Sequence, residues 1–530
     1  MNKRFDFPAD KNYFLVPGMP TPNGRIHLGH IAGPYLRMDV FKRKAQRNNG
    51  SAYLCSGSDV YESYVELKAS QLKMSTKEVA NHFHELILKD FKALDIEFDL
   101  FINPLEENLQ DEFISFHQSL LQDLISNGNT IEKYELIPYD TANERYLTGC
   151  WIKGICPICK NETGGYLCEK CGYHYRPEDI FNNEDYSNIE LIRYKAIYLN
   201  FNVNTVLENT KRVQNGIYMP IVEKYIELQG PFIRLTTLQH IGVPFVENHI
   251  NKQVIFTYPG LLFYSIYCGH LLQKKLELKT NPMANHSKFI SCASFGLDNI
   301  IPFLTGVYGG GIALSNYKPF DHYFCNFFYS LNGSKFSTSR SHVIWSGDIV
   351  ELCHIQSDAV RYYLCKVNPE LNEANFDTKN FVETINKDLH SEMNIAIQIA
   401  FDNLRIDISY PCDTTLFSLI ENIILTQDQL AAPDCFQLST FLQPIKDWIQ
   451  IFEKFDEIKK TKYAYWWVKT LAYLCYPVIP NSASALWGNL TQEKEISRNT
   501  FFTDDRVISQ KLDNVLFKSI QHDDLMKILH

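Results

Sequence analysis

The sequence has no excess of positive charge: 51 Lys and Arg stand against 61 Asp and Glu in 530 residues, a net charge of −10. That excludes a non-specific nucleic-acid coat, which needs a basic surface, but not a local basic track for one RNA. Internal repeats and low-complexity segments are absent, so neither a repeat array nor a disordered tract is expected. No apolar leader opens the chain: Met1-Asn2-Lys3-Arg4 runs into mixed polar residues, and no secretory signal is expected. Long hydrophobic runs are scarce. The longest, residues 254–272, contains Thr257, Pro259-Gly260, Ser265 and His270 between flanking lysines. It reads as a buried strand, turn and helix rather than a membrane span. Fourteen cysteines without a signal peptide point to reduced thiols, some of them on a metal. The expectation is a cytoplasmic protein with no membrane partner.

Hydrophobic residues at 45% and charged residues at 21% describe a soluble globular chain long enough for several domains and a large core. Strand and helix signals alternate up to about Leu121, with apolar runs ending at Val16 and at Cys55 and amphipathic stretches over 77–94 and 112–126. Such alternation predicts an α/β fold with a parallel sheet. From about 131 to 248 glycine, cysteine and tyrosine rise, as in an inserted module. The strand–helix rhythm returns at Val254 and lasts to about Ile344. Beyond Asp348 the pattern is helical, as over 357–365, 378–401 and 463–474. The expected organisation is a first half of a Rossmann-type domain at 1–130, an inserted zinc-knuckle module at 131–248, the second half at 249–345, a stem at 346–380 and an α-helical bundle at 381–530. The chain ends soon after that bundle, and no appended RNA-binding module is expected.

Three motifs carry chemistry. In the first, apolar Tyr13-Phe14-Leu15-Val16 enters a Pro/Gly-rich turn, Pro17-Gly18-Met19-Pro20-Thr21-Pro22-Asn23-Gly24, which leads to His27-Leu28-Gly29-His30. A helix start there offers free N–H groups and a positive dipole end to an anion. Histidines three apart share a helix face and can reach one phosphate chain. In the second, Cys156, Cys159, Cys168 and Cys171 form C-x2-C-x8-C-x2-C, the spacing of a tetrahedral zinc site. Four sulfurs leave no open position, so the zinc is structural; Cys150 does not fit the spacing. In the third, Asn332-Gly333-Ser334-Lys335-Phe336-Ser337-Thr338-Ser339-Arg340 is a polar turn between apolar runs, and Lys335 is a candidate phosphate clamp.

The first and third motifs together resemble the His-Ile-Gly-His and Lys-Met-Ser-Lys-Ser signatures of class I aminoacyl-tRNA synthetases. The whole set resembles methionyl-tRNA synthetases over nearly the full chain. Gly296-Leu297-Asp298-Asn299-Ile300 is similar to that family's Gly-Lys-Asp-Asn-Ile. Residues 358–364 agree with the family, as do Asn375-Phe376-Asp377, Phe381 and Asn386-Lys387-Asp388-Leu389. The resemblance implies activation of an amino acid, methionine or a related one, by Mg-ATP and its transfer to tRNA. His27, His30 and Lys335 become the catalytic residues. Asn23, Gly29, Gly296, Asp298, Ser337 and Ser339 become ATP-binding, with Gly296 and Asp298 on the ribose. Gly18, Met19, Asp59 and Tyr258 become amino-acid-binding, with Asp59 on the α-ammonium.

The chain also departs from the family. Thr338 replaces the second loop lysine, with Arg340 a substitute cation nearby. Gly18-Met19-Pro20-Thr21 replaces Ala-Leu-Pro-Tyr. Gly-Thr-Asp-Glu-His-Gly becomes Gly57-Ser58-Asp59-Val60-Tyr61-Glu62, and Trp-Leu-Asp-Ala-Pro becomes Tyr258-Pro259-Gly260-Leu261-Leu262. A family histidine becomes Phe303. A family arginine aligns with Thr237, and Arg234 is a stand-in. The anticodon-reading Pro-Trp is missing; Trp466 and Trp467 read as core and 459–462 as a solvated helix end. Three readings stay open: a methionyl-type synthetase, a paralogue that passes its adenylate to a small molecule or carrier protein, and a non-catalytic homologue.

Overall fold

The computed structural model describes residues 10–168, 171–182, 188–245, 253–337, 341–406, 408–503, 506–507 and 516–529. The expected boundary at 248/249 lies outside them, as do Thr338, Ser339 and Arg340.

Five strands make the central sheet: β1 (Tyr13–Pro17), β2 (Ala52–Gly57), β3 (Leu100–Ile102), β4 (Ile290–Gly296) and β5 (His322–Asn326). They pair in the order β5-β4-β1-β2-β3, and every pairing is parallel. Side chains of β1 alternate between two cores: Tyr13 and Leu15 face one, Phe14 and Val16 the other. A strand buried on both faces has no polar side, hence its unbroken apolar sequence. Helices Leu36–Arg47 and Thr76–Ala93 pack on the first face; Gln110–Ser126 and Thr257–Leu276 pack on the second. The order reverses between β1 and β4, which opens a crevice beyond their carboxyl ends.

The insertion leaves the sheet after the helix Gln110–Ser126. Its frame is a long antiparallel ribbon of Thr130–Asp140 against Ile189–Asn200, with Phe232–Arg234 beside it. The four-cysteine segment lies in the chain between the two ribbon strands. Residues 254–272 differ from expectation. A strand, Gln253–Ile255, passes into the helix Thr257–Leu276, and Pro259-Gly260 does not break it. Pro259 occupies the first turn, where an amide has no intrahelical acceptor to lose.

The helical region covers the first face of the sheet and shares its core, which runs without a gap from Tyr13 to Ile528. Asp377, Asp413 and Asp456 start three of its helices by accepting from the amide three residues on. Arg361, in the helix Ser357–Lys366, is fully buried. It pairs with Asp39 at 2.7 Å and donates to the carbonyls of Leu94, Pro477 and Val478. Trp466 and Trp467 are core residues, as expected. Lys459, Lys460 and Lys462 lie in the first turns of the helix Glu457–Cys475 and pair with Asp456, Glu457 and Asp413.

Candidate active site

Backbone ties fix the turn after β1. The Gly18 amide donates to Ser294 O at 2.7 Å, which joins β1 to β4 at the crevice, and the Tyr35 hydroxyl donates to Gly18 O at 2.8 Å. Asp90, from the helix Thr76–Ala93, is the hub beneath. It accepts from Arg25 at 2.6 Å and from the amides of Ile26 and Gly347. Arg25 also pairs with Asp348 at 2.8 Å. Leu28 N–H donates to Ile344 O, and Ser346 N–H to Ile26 O. The turn before His27 is thus knitted to the segment that follows the second loop, some 300 residues on.

His27 caps a short helix, Leu28–His30. The following turn, Ile31–Tyr35, is not regular: Gly33 leaves helical angles with ψ −114° and Pro34 follows. Irregular turns of this kind mark functional sites more often than plain helices do. Gly33 also makes room, since a Cβ there would stand 2.8 Å from the Asn326 amide. The two histidines do not lie side by side. Their rings stack, with centroids 3.7 Å apart, and Phe336 covers the other face of His27 at 4.4 Å and 2°. Gly29 suits this column: a Cβ would lie 3.1 Å from both the His27 ring and Phe336, tighter than ordinary contact. The His27 amide donates to His30 Nδ1 at 3.3 Å, so the proton of a neutral His30 sits on Nε2. Burial, and then the neighbouring His30 ring, push the His27 pKa well below its usual value.

Of the other residues expected at ATP, Asn23, Gly296, Asp298 and Ser337 belong to the described residues and Ser339 does not. Gly296 ends β4, and a Cβ on it would meet Asp298 Oδ1 at 2.6 Å, so the glycine lets Asp298 fold back over the strand end. Asn326, at the end of β5, lies against both Gly33 and Gly296. Asn23 closes a tight turn through its amide on Thr21 O. Lys335 is exposed, with Nζ 5.9 Å from the Phe328 ring centre. Ser337 exchanges backbone bonds with His342, both at 2.9 Å. Sequence reading gave Phe336, Asp90 and Asn326 no role. Phe336 was read only as one member of the second loop motif, and the other two stand in helix and strand patterns with no local motif.

Beside the crevice lies a small cavity of about 50 Å³ between the sheet, the helix Thr257–Leu276 and the insertion. Met19 and Asp59 line it, with Glu62, Tyr166 and Phe256. Tyr166 comes from the cysteine segment and donates to Gln239 at 2.9 Å. Tyr258 is not on this wall: its hydroxyl meets His174 Nδ1 in a buried hydrogen bond. Arg234 is bound within the insertion, paired with Glu135 at 2.9 Å. Phe303 is stacked on Phe295 in the core.

The four cysteines converge. Their sulfurs all lie within 4.8 Å of one another, with Cys156–Cys171 at 3.6 Å and Cys159–Cys168 at 3.5 Å. A tetrahedron with metal–sulfur bonds of about 2.3 Å has sulfur–sulfur edges of roughly 3.8 Å, so the donor set fits zinc. Amide and side-chain donors of Asn161 lower the Cys159 thiol, while burial raises those of Cys156 and Cys171. Cys150 is outside the cluster and donates to Ser63 O.

Comparison with known proteins agrees with this geometry. The family described as "tRNA synthetases class I (M)" matches residues 13–204 and 279–398. The methionine--tRNA ligase of Nanoarchaeum equitans is 27% identical over 434 residues, 71% of this chain and 55% of that protein. That of Methanococcus aeolicus is 22% identical over 556 residues, 97% of this chain and 80% of that protein. The chain spans about half the length of several relatives, such as the Nanoarchaeum and Pyrococcus horikoshii ligases. Mycobacterium tuberculosis methionyl-tRNA synthetase, solved bound by methionyl-adenylate, superposes with a TM-score of 0.73 at 14% identity, over 96% of this chain and all of that one. With a matching family over more than half its length, a parallel sheet split by a cysteine-bearing insertion and a helical C-terminal region, the chain belongs to the class I tRNA synthetases of the methionyl group.

Proposed function

We propose that the protein activates an amino acid with Mg-ATP to an aminoacyl-adenylate, as a ligase of the methionine--tRNA type, and transfers it to tRNA. The observation that carries this reading is the stacked His27–His30 pair at the switch-point crevice, roofed by Phe336 of the second loop. Methionine--tRNA ligase is the name its relatives bear, and methionyl-adenylate is what the M. tuberculosis enzyme binds.

The substrate carboxylate attacks the α-phosphorus of ATP, the bond to the bridging oxygen breaks, and pyrophosphate leaves. The carboxylate needs no base at neutral pH, so catalysis is a matter of placement and of charge on the phosphates. His30 donates from Nε2 to a phosphate oxygen as a neutral imidazole. Gly29 lets the backbone approach. Gly296 and Asp298 hold the ribose, since a carboxylate accepts from both hydroxyls. Lys335 binds the leaving pyrophosphate once its exposed side chain turns inward. Asp59 takes the α-ammonium beside Met19 and Gly18. Cys156, Cys159, Cys168 and Cys171 hold zinc, which braces the segment that supplies Tyr166 to the cavity.

ATP–pyrophosphate exchange tests the reading. His30→Ala is expected to cost on the order of 10²–10³ in exchange rate, about 3 kcal/mol, with an unchanged melting curve because His30 is exposed. Exchange at the wild-type rate refutes the phosphate role. Acid-precipitable charging of total tRNA then tests transfer: adenylate without charged tRNA refutes the ligase.

A further inference from the structure

The second loop is anchored on both sides of Phe336. Before it, Ser334–Lys335 pairs antiparallel with Tyr329–Leu331 across the turn Asn332-Gly333. Those two residues hold φ of 46° and 80°, the left-handed angles that so tight a hairpin needs. After it, Ser337 exchanges backbone bonds with His342, whose Nε2 donates to Leu331 O at 2.8 Å. His27 itself is bridged to Trp345. Phe336 is thus delivered to the turn by backbone on either side. Its ring is only 9% exposed, although its neighbours in the loop are polar.

The His27 ring lies between two others, His30 at 3.7 Å and Phe336 at 4.4 Å. Its two nitrogens are not equivalent. Nδ1 is buried and turned to the His30 amide at the helix start, with no hydrogen bond of ordinary length, whereas Nε2 is not sealed in this way. A ring nitrogen that faces an N–H carries the lone pair, so a neutral His27 has its proton on Nε2. His30 is fixed alike, its Nδ1 accepting from the His27 amide. The column therefore presents two Nε2–H donors. Turning His27 over, which would exchange the places of its ring edges, carries the ring out of its plane. That motion runs into His30 on one face and Phe336 on the other.

We propose that Phe336 is a positioning residue of activation: clamped on His27, it holds that imidazole as a second Nε2–H donor to the ATP phosphates, alongside His30. Phe336 acts through His27 and touches no substrate. The inference rests on the activation reading above and deepens it on the phosphate side. Phe336 stands where the resembling family's loop carries methionine, so that family's pattern does not supply this ring. A flat ring blocks rotation of its neighbour where a flexible thioether yields.

The experiment joins ATP–pyrophosphate exchange by the full chain, with methionine, to the side-chain ¹⁵N spectrum of histidine-labelled protein. The signals that His27→Gln removes are those of His27. Phe336→Leu keeps bulk and loses the ring. It is expected to lower kcat about fivefold and to leave KM for methionine within about twofold. Phe336→Tyr keeps the ring and is expected to stay within about twofold of the wild type in both. In the spectrum His27 is expected as the Nε2–H tautomer in the wild type and as a mixture of both tautomers in Phe336→Leu. Equal losses in the two variants, or Phe336→Leu at the wild-type kcat, overturn the proposal. A wild-type His27 with its proton on Nδ1 overturns it too. Should methionine drive no exchange, activation of methionine fails and the spectrum still judges the ring. One tautomer in the wild type and Phe336→Tyr with a mixture in Phe336→Leu supports the clamp; one spectrum in all three overturns it. Phe336→Met, with the same readouts, replaces Phe336→Leu should the latter not fold.

Discussion

The turn around His27 and the cavity around Glu62 adjoin, yet they are held in opposite ways. The turn is fixed by backbone bonds to β4 and to the segment after the second loop, and by a buried aspartate that gathers three donors. Its side-chain identities matter at few places, chiefly His27, Gly29 and His30. The cavity is walled by side chains from the sheet, a helix and the insertion, and its two acids have no charged partner among the described residues. A backbone-held site keeps its geometry while sequence drifts. A side-chain-walled site changes its preference with one substitution. The chain keeps His27-Leu28-Gly29-His30 on the phosphate side, departs there only in the second loop at Thr338, and departs more widely on the amino-acid side.

The hardest blow to the first region is Asp90→Ala. It strands the amides of Ile26 and Gly347 and leaves Arg25 to Asp348 alone, and a loss on the order of 3 kcal/mol is expected in denaturant unfolding. Exchange activity falls with it as turn and loop separate; a loss under about 1 kcal/mol would show that the hub is not what holds the turn. Metal removal discriminates between the regions. A chelator, or Cys156→Ser, is expected to loosen Tyr166 and raise KM for the amino acid roughly tenfold while KM for ATP stays put. Equal effects on both would erase the distinction. The smallest effect on catalysis is expected of Phe336→Ala, in which the ring contact to His27 is worth about 1 kcal/mol beyond the burial lost. It strips one face of His27, so the imidazole pKa climbs back toward its ordinary value, as an NMR titration would follow. An unmoved His27 would mean that the ring does not bury it.

Much of this was legible in the sequence. The apolar run at β1, the cysteine spacing and the buried tryptophans follow from period and type, and the structure places them as read. Tyr258 was read onto the amino-acid wall, but it lies in the helix Thr257–Leu276 and serves His174 instead. That placement came from the resemblance, which set Tyr258 against the family's Trp-Leu-Asp-Ala-Pro, whereas helix position decides which way a side chain faces. The ring column of Phe336, His27 and His30 could not be read, because it joins residues about 300 apart and stacking leaves no periodic trace. Thr338, Ser339 and Arg340 lie outside the described residues, and the missing lysine is unchanged as a question for mutation.

Arg361 carries a consequence of a different kind. Its guanidinium answers to an acid on the first sheet-side helix, to the carbonyl that ends the next one, and to two carbonyls of the helical region. A joint made this way cannot be cut without leaving charge and carbonyls stranded in oil. The two parts therefore melt together, and an excised catalytic half would precipitate rather than work alone.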